Sequence, residues 1–279
     1  MEINATERIE RLLRATSKVD EEAEAAVSEI LEALESGELR CAVPGGCDWS
    51  VDIRVKQLIL SVFRLGHLEE RSDSVFDFCD KHNLWPEQKG LASRGVRIVP
   101  GGTCVRRGAH IARGVTVMPP SYVNIGAWVD EGSMVDSHVT VGSCAQIGKH
   151  CHISAAAQIG GVLEPVGQLP VIVEDGAFVG GNVGIYEGTH VGRGAVVASG
   201  VVLTRSTPIF DLVNERVIRA ENGVLTVPER AVVVSGARAI RSPFGVENGL
   251  SLYTPVIVKY RDEKTDATTV LESILHALD

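Results

Sequence analysis

No stretch of this chain approaches the ~18 consecutive apolar residues that a membrane-crossing helix needs. The opening residues, MEINATERIERLLRATSKVDEEAEAA, also lack the apolar run of a secretory leader. A cytoplasmic protein with no membrane partner is the expectation. Basic residues are in short supply too: 27 Lys and Arg stand against 36 Asp and Glu, giving a formal net charge of −9. Nucleic-acid binding usually leaves a strongly basic face, so no nucleic-acid partner is expected, although a local basic pocket for a small anion is compatible with this balance. The six cysteines contain no CxxC pair. Without a secretory context they read as reduced structural thiols rather than disulfides or metal ligands.

Glycine, by contrast, is abundant, with 29 residues in a chain of 279. Such an excess without proline-rich low complexity calls for many tight turns or close backbone approaches. The first 95 residues do not supply them. ATERIERLLRATSK and EEAEAAVSEILEALESGELR carry apolar residues at helical spacing, with Gly37 as a C-terminal stop. SVDIRVKQLILSVFRLG is a further amphipathic run, and SVFDFCDKHNLW a shorter one. Residues 1–95 are therefore predicted to be an α-helical N-terminal domain.

Beyond residue 96 the period changes from helical to six. Aliphatic residues fall at 105, 111, 117, 123, 129, 135, 141, 147, 153 and 159 without a miss, then at 173, 179, 185, 191, 197 and 203, and again at 227 and 233. Four positions after each comes a small or β-branched residue, such as Ala109, Ser121, Ala127 or Ser133. A six-residue unit cannot bury its one aliphatic side chain alone, whereas stacked units bury a continuous core. Three hexads per triangular coil put Val105, Val123, Val141 and Ile159 in one column, and Val117, Val135 and Ile153 in another. The glycines then serve the corners. Residues 96–236 are predicted to be a parallel β-helix interrupted at 160–172 and 205–226, and 237–279 a capping segment with a strand, LYTPVIVKY, and a helix-like DATTVLESILHALD. Loops extruded from a rigid scaffold are where binding usually resides.

Within the repeat, Asp130 and Asp136 belong to successive hexads and so to different faces, which rules out a same-chain dyad. Each reads as either a solvated corner residue or a positioned functional group. His138 and His150 fall at turns. A histidine there could serve as a base, join a zinc site, or simply face solvent. The glycine-rich VGGNVG opens no helix and reads as coil corners rather than a phosphate loop.

The block MPPSYVNIGAWVDEGSMVDSHVTVGSCAQIGKHCHIS, followed by IGGVLEP, closely resembles the tetrahydrodipicolinate N-succinyltransferase family, and GVRIVP, LILSVFRLG, AVVVSG and SLYTPVIVKY extend the resemblance over nearly the whole chain. The resemblance implies a left-handed parallel β-helix, a homotrimer with sites between subunits, and succinyl transfer from succinyl-CoA to the amine of the ring-opened dicarboxylate, 2-amino-6-oxopimelate, in lysine and diaminopimelate synthesis. It implies no metal. Carried onto this chain, Arg97, Ser121, Asn124 and Asp136 bind the dicarboxylate, with Asp136 the first choice for proton transfer. Gly160, Gly161, Arg205, Ser206 and Lys259 are the expected coenzyme A contacts. One departure is clear: many relatives resemble GARSEVVEG where this chain reads GGNVGIYEG, so Asn182 replaces an arginine and Gly184 a glutamate often given a catalytic role. Glu187 is then a second catalytic candidate beside Asp136. An acetyl-CoA-dependent enzyme acting on the same acceptor, a zinc-dependent hexapeptide hydratase and a non-catalytic trimeric scaffold are the alternatives.

Overall fold

The computed structural model describes residues 5–45, 48–72 and 77–262. Three helices open the chain: α1 (Ala5–Ala15), α2 (Glu21–Ser36) and α3 (Ile53–Leu65). The Asp20 side chain caps α2 by accepting from Ala23 N, and Gly37 ends it at φ 87°, a left-handed value that favours glycine. Leu12, Ile30, Leu58, Ile59 and Val62 pack among the helices, together with Ile125 and Cys144 from the coil that follows. The N-terminal region therefore shares its core with the coil.

The described part of the run SVFDFCDKHNLW is strand and turn rather than helix. Asp77–Lys81 pairs antiparallel with Leu68–Ser72, and a second hairpin joins Ala42–Gly45 to Asp48–Val51. Over Asp77–Lys81 no residue is buried, so this segment has no apolar stripe to hold a helix down. The neighbouring LEERS offers backbone pairing instead.

The coil has three walls of short parallel strands. Wall I carries Ile111, Val129, Ile147, Val173, Val191 and Val227 inward. Wall II carries Val117, Val135, Ile153, Val179, Val197 and Val233, and wall III carries Val105, Val123, Val141, Ile159, Ile185 and Leu203. These are the columns the hexads predicted. Each interruption returns the chain to its column, since Val173 stacks directly on Ile147 and Val227 on Val191. In a typical strand the second residue is buried inside and the first faces out. Three residues after the aliphatic, the corner turns through a left-handed residue: Gly in many coils, but His138, Cys144, His150, Ala156 and Asn182 in others. Cys41, Cys144 and Cys151 are buried free thiols, and burial pushes the Cys151 thiol up to about 12.

Wall I is covered by the N-terminal region. His110 stacks on Trp128 at 3.8 Å, and its Nδ1 donates to the Glu35 carbonyl at 2.9 Å. The Arg40 guanidinium lies 4.0 Å from the Trp128 ring centre and donates to Gln146 Oε1 at 2.7 Å. The fully buried Lys56 of α3 donates to Gln168 O at 2.6 Å, pinning the first insertion against the helices.

At the other end the expected division after residue 236 falls inside a strand. Ala231–Ala239 continues wall II, turns through α4 (Pro243–Glu247), and returns antiparallel as Ser251–Tyr260. The second insertion is not purely loop: Ile209–Asp211 pairs with the returning strand and with Arg216–Ile218, and Leu225–Val227 is already wall I. Asp211 anchors this layer. Burial alone would raise its carboxyl, but hydrogen bonds from Asn214, Tyr260 and Arg216 outweigh it and hold the group at about 2. The helix-like run at 266–279 lies outside the described residues. Among those described, no helix is long and apolar enough to cross a membrane.

Two outcomes test this account. Ala156 sits at φ 60°, so Ala156→Gly should relieve a left-handed penalty and stabilise the fold by about 1 kcal/mol, read as a higher Tm. Burial pushes the His110 imidazole below its usual range, so the unfolded chain takes up that proton first as pH falls. The contribution should leave stability unchanged above about pH 7 and erode it as pH drops below about 6.5. Thermal melts from pH 7.5 to 5 should show a shallower decline in His110→Gln than in the parent.

Candidate active site

Asp136 ends its wall II strand at the edge where wall II turns into wall III. Its backbone is fixed by Asp136 N donating to Ile153 O at 2.9 Å, and its Oδ1 accepts from Ser137 N at 2.7 Å. Among the described residues nothing bonds Oδ2, which leaves half of a partly exposed carboxylate for a ligand. Arg97 is exposed on the same wall. It occupies the outward position below Thr116, which is itself below Met134. Two strand spacings, about 10 Å, separate the rungs of Arg97 and Asp136, a span suited to a small dicarboxylate.

Ser121 does not face this edge. It is 6% exposed, its hydroxyl donates to Asp136 O at 2.8 Å, and its oxygen accepts from Val139 N at 3.2 Å. Ser133 does the same two edges further on, donating to Gly148 O and accepting from Cys151 N. Ser121 is thus a strut that shapes the Asp136 corner, its hydroxyl bonded to backbone on both sides. Asn124 lies at the edge between walls III and I. Its Oδ1 accepts from Ile125 N at 2.9 Å, and the neighbouring Ile125 is buried in the helical core.

Glu187 is exposed, also on the edge between walls III and I, so one protomer does not bring it to Asp136. Gly160 and Gly161 launch the first insertion. A Cβ at Gly161 would lie 2.3 Å from Ser143 N, and one at Gly142 would lie 2.2 Å from Gly161 N. Two turns meet backbone to backbone there, and only glycine fits. Asn182 is a left-handed corner at φ 57°, and Gly184 is buried on wall III.

The two insertions and the first hairpin enclose a polar cleft of about 780 Å³ over wall I, lined by Trp49, Gln168, Gly188, His190, Arg205 and Asn222 among others. Of the expected coenzyme A contacts, Arg205 alone lines it. Ser206 is exposed beside it, its hydroxyl 3.2 Å from that of Thr204, and Lys259 sits opposite Val232 in the returning strand. Sequence reasoning missed the feature that orders this cleft, the Glu174 carboxylate. Glu174 accepts from Trp49 Nε1 and from Arg193 N at 3.0 Å each, and His190 Nε2 lies 3.0 Å away. Burial would raise this carboxyl, but the Trp49 hydrogen bond, the neighbouring His190 and the Arg193 N–H together hold it below its usual range. Trp49 and Glu174 are too far apart in sequence for any local signal to pair them. Among the described residues no group of three or more His, Cys, Asp or Glu could hold a metal ion.

The hexad columns define a protein of the hexapeptide-repeat class, built as a left-handed parallel β-helix, and residues 170–205 match the family "Hexapeptide repeat of succinyl-transferase". Residues 4–65 match "Tetrahydrodipicolinate N-succinyltransferase N-terminal". Proteins named 2,3,4,5-tetrahydropyridine-2,6-dicarboxylate N-succinyltransferase are similar along most of their length. The Cereibacter sphaeroides protein is 41% identical over 256 residues, 90% of this chain and 88% of its own. The Sodalis glossinidius protein is 38% identical over 267 residues, 94% and 93%. The chain belongs to the tetrahydrodipicolinate N-succinyltransferase family. A solved Campylobacter jejuni structure named as a 2,3,4,5-tetrahydropyridine-2-carboxylate N-succinyltransferase aligns at 17% identity and TM-score 0.48, covering 84% of this chain and 62% of that one.

If Ser121 is a strut, Ser121→Ala strands the Asp136 carbonyl and the Val139 N–H and should cost about 1–3 kcal/mol. Denaturant melts should record that loss, while the KM for the acceptor stays within twofold in the folded variant.

Proposed function

We propose that this protein is an acyltransferase that moves the succinyl group of succinyl-CoA onto the amine of ring-opened tetrahydrodipicolinate, 2-amino-6-oxopimelate, in the succinylase branch of lysine and diaminopimelate synthesis. The observation that carries this reading is the similarity to succinyltransferases along about nine-tenths of the chain. The protein acts in the cytoplasm as a homotrimer. A trimer is favoured because Asp136 and Glu187 lie on different edges of one coil, so a neighbour's wall is needed to complete a closed site.

In this reading Arg97 grips an acceptor carboxylate, for which a guanidinium fork is the matching shape. The amine attacks the thioester carbonyl carbon only when neutral. The free Oδ2 of Asp136 accepts the proton that the amine sheds as the new amide bond forms, and as the carbon–sulfur bond breaks that proton passes to the departing sulfur, releasing coenzyme A as its thiol. No acyl-enzyme is needed. Glu187 of a neighbouring protomer is the second acid/base group, Gly160 and Gly161 lie along the pantetheine, and Arg205 and Ser206 meet the phosphate end, where a cation over a polar cleft suits the charge. Lys259 is the remaining coenzyme A contact, carried on the returning strand opposite Val232 and outside the lining of that cleft.

An acetyl donor is the second reading, favoured by Asn182 and Gly184 standing where many relatives carry charge. A thiol-release assay with both donors and tetrahydrodipicolinate separates the two: succinyl-CoA should be the preferred donor, and absence of turnover with either refutes the acyltransferase assignment. Asp136→Asn should lower kcat by about 10²–10⁴-fold with little change in the acceptor KM. Arg97→Lys should chiefly raise that KM.

A further inference from the structure

Among the described coil strands, Gly184 is the one outward position without a side chain. Its neighbours in the wall III column are Tyr122, Thr140, Gln158 and Val202. Glycine weakens a strand, and where it persists it often marks a close approach of a ligand or another group. Here the approaching group is Tyr186. A Cβ built on Gly184 would lie 2.7 Å from Tyr186 Cε2 and 3.1 Å from both Cζ and the hydroxyl oxygen. The ring has folded back over its own strand and lies in the seat that the missing side chain leaves.

The hydroxyl it carries there is unengaged. The chain has four tyrosines. The Tyr122 hydroxyl donates to Asn124 Oδ1, Tyr253 donates to Val202 O, and Tyr260 donates to Asp211 Oδ2. Tyr253 also accepts from Val202 N, so it closes the last open strand of wall III. Tyr186 alone makes no hydrogen bond among the described residues, and it is partly exposed. Its Cα lies 3.1 Å from a Cβ built on Gly160, the first glycine of the insertion. The Tyr186 backbone therefore packs against the turn assigned above to the acyl-CoA arm, and its free phenol lies over Gly184, two positions back along the same wall.

We infer that Tyr186 is a specificity-determining residue for the acyl donor: its hydroxyl donates a hydrogen bond to the distal carboxylate of a dicarboxylic acyl group, and Gly184 is the seat that lets it do so. This rests on the acyltransferase reading above. A succinyl thioester presents that carboxylate and an acetyl thioester does not, so the contact separates the two donors. A hydrogen bond to a charged group contributes enough to change affinity by about tenfold or more.

The test measures succinyl-CoA and acetyl-CoA binding by calorimetry without acceptor, and kcat/KM for both donors with it, in the parent, Tyr186→Phe and Gly184→Ala. Tyr186→Phe should weaken succinyl-CoA binding by about tenfold while acetyl-CoA stays within twofold, with Tm unchanged. Gly184→Ala, which keeps the phenol but crowds the ring off its seat, should lower the same ratio. An unchanged donor ratio in both variants, or an equal loss for both donors, overturns the inference. If the parent binds succinyl-CoA but does not acylate tetrahydrodipicolinate, the acceptor assignment fails while the binding ratio still decides the role of Tyr186.

Discussion

Everything in this molecule hangs on one contact repeated many times, an aliphatic side chain resting on the aliphatic side chain one coil below. Each hexad contributes one column aliphatic, with a small or β-branched residue four places on filling the corner, and in the three columns the aliphatics are almost wholly withdrawn from water. The coil therefore grows by addition, each turn burying the face left open by the last. Corners, walls and insertions are subordinate to it. The corner must turn through a left-handed residue three places on because the next aliphatic has to arrive in register. The chain tolerates histidine, cysteine, alanine or asparagine there because the stacked columns over-determine the turn.

The same constraint decides where chemistry can live. A side chain on the outer surface of a wall is held by two neighbours in its sheet and cannot wander. Asp136 is aimed by a backbone ladder and by the Ser121 strut beneath it, and the wall I carboxylate of Glu174 is aimed by an indole that reaches in from the N-terminal region. The helical region does more than cap the end. Arg40, Trp49, His110 and Lys56 tie it to wall I and to the first insertion, so the cleft walls and the coil share one rigid frame.

Much of this was legible in the sequence because the periods are strong. The six-residue spacing gave the columns by residue number, and helical spacing with Gly37 as the stop gave α2. What escaped was short or distant. The hairpins at 42–51 and 68–81 have too few apolar residues to announce an alternation, and the strand crossing residue 236 is continuous only because it pairs with a returning strand. The inward corner at Ser121 was legible from its position four places after Val117, but its bond to the Asp136 carbonyl, 15 residues on, was not. Tyr186 left no trace at all, since its ring orientation depends on what Gly184 lacks.

The walls also act as a ruler. Outward positions recur at one strand spacing, about 4.8 Å, in straight columns. A ligand lying along a wall is measured in whole graduations, and changing one residue re-marks the scale at one height without bending it. Because each insertion leaves wall III and rejoins wall I in register, loops of very different length can be hung between graduations. Substrate length and acyl length can be retuned independently on such a scaffold, one mark at a time.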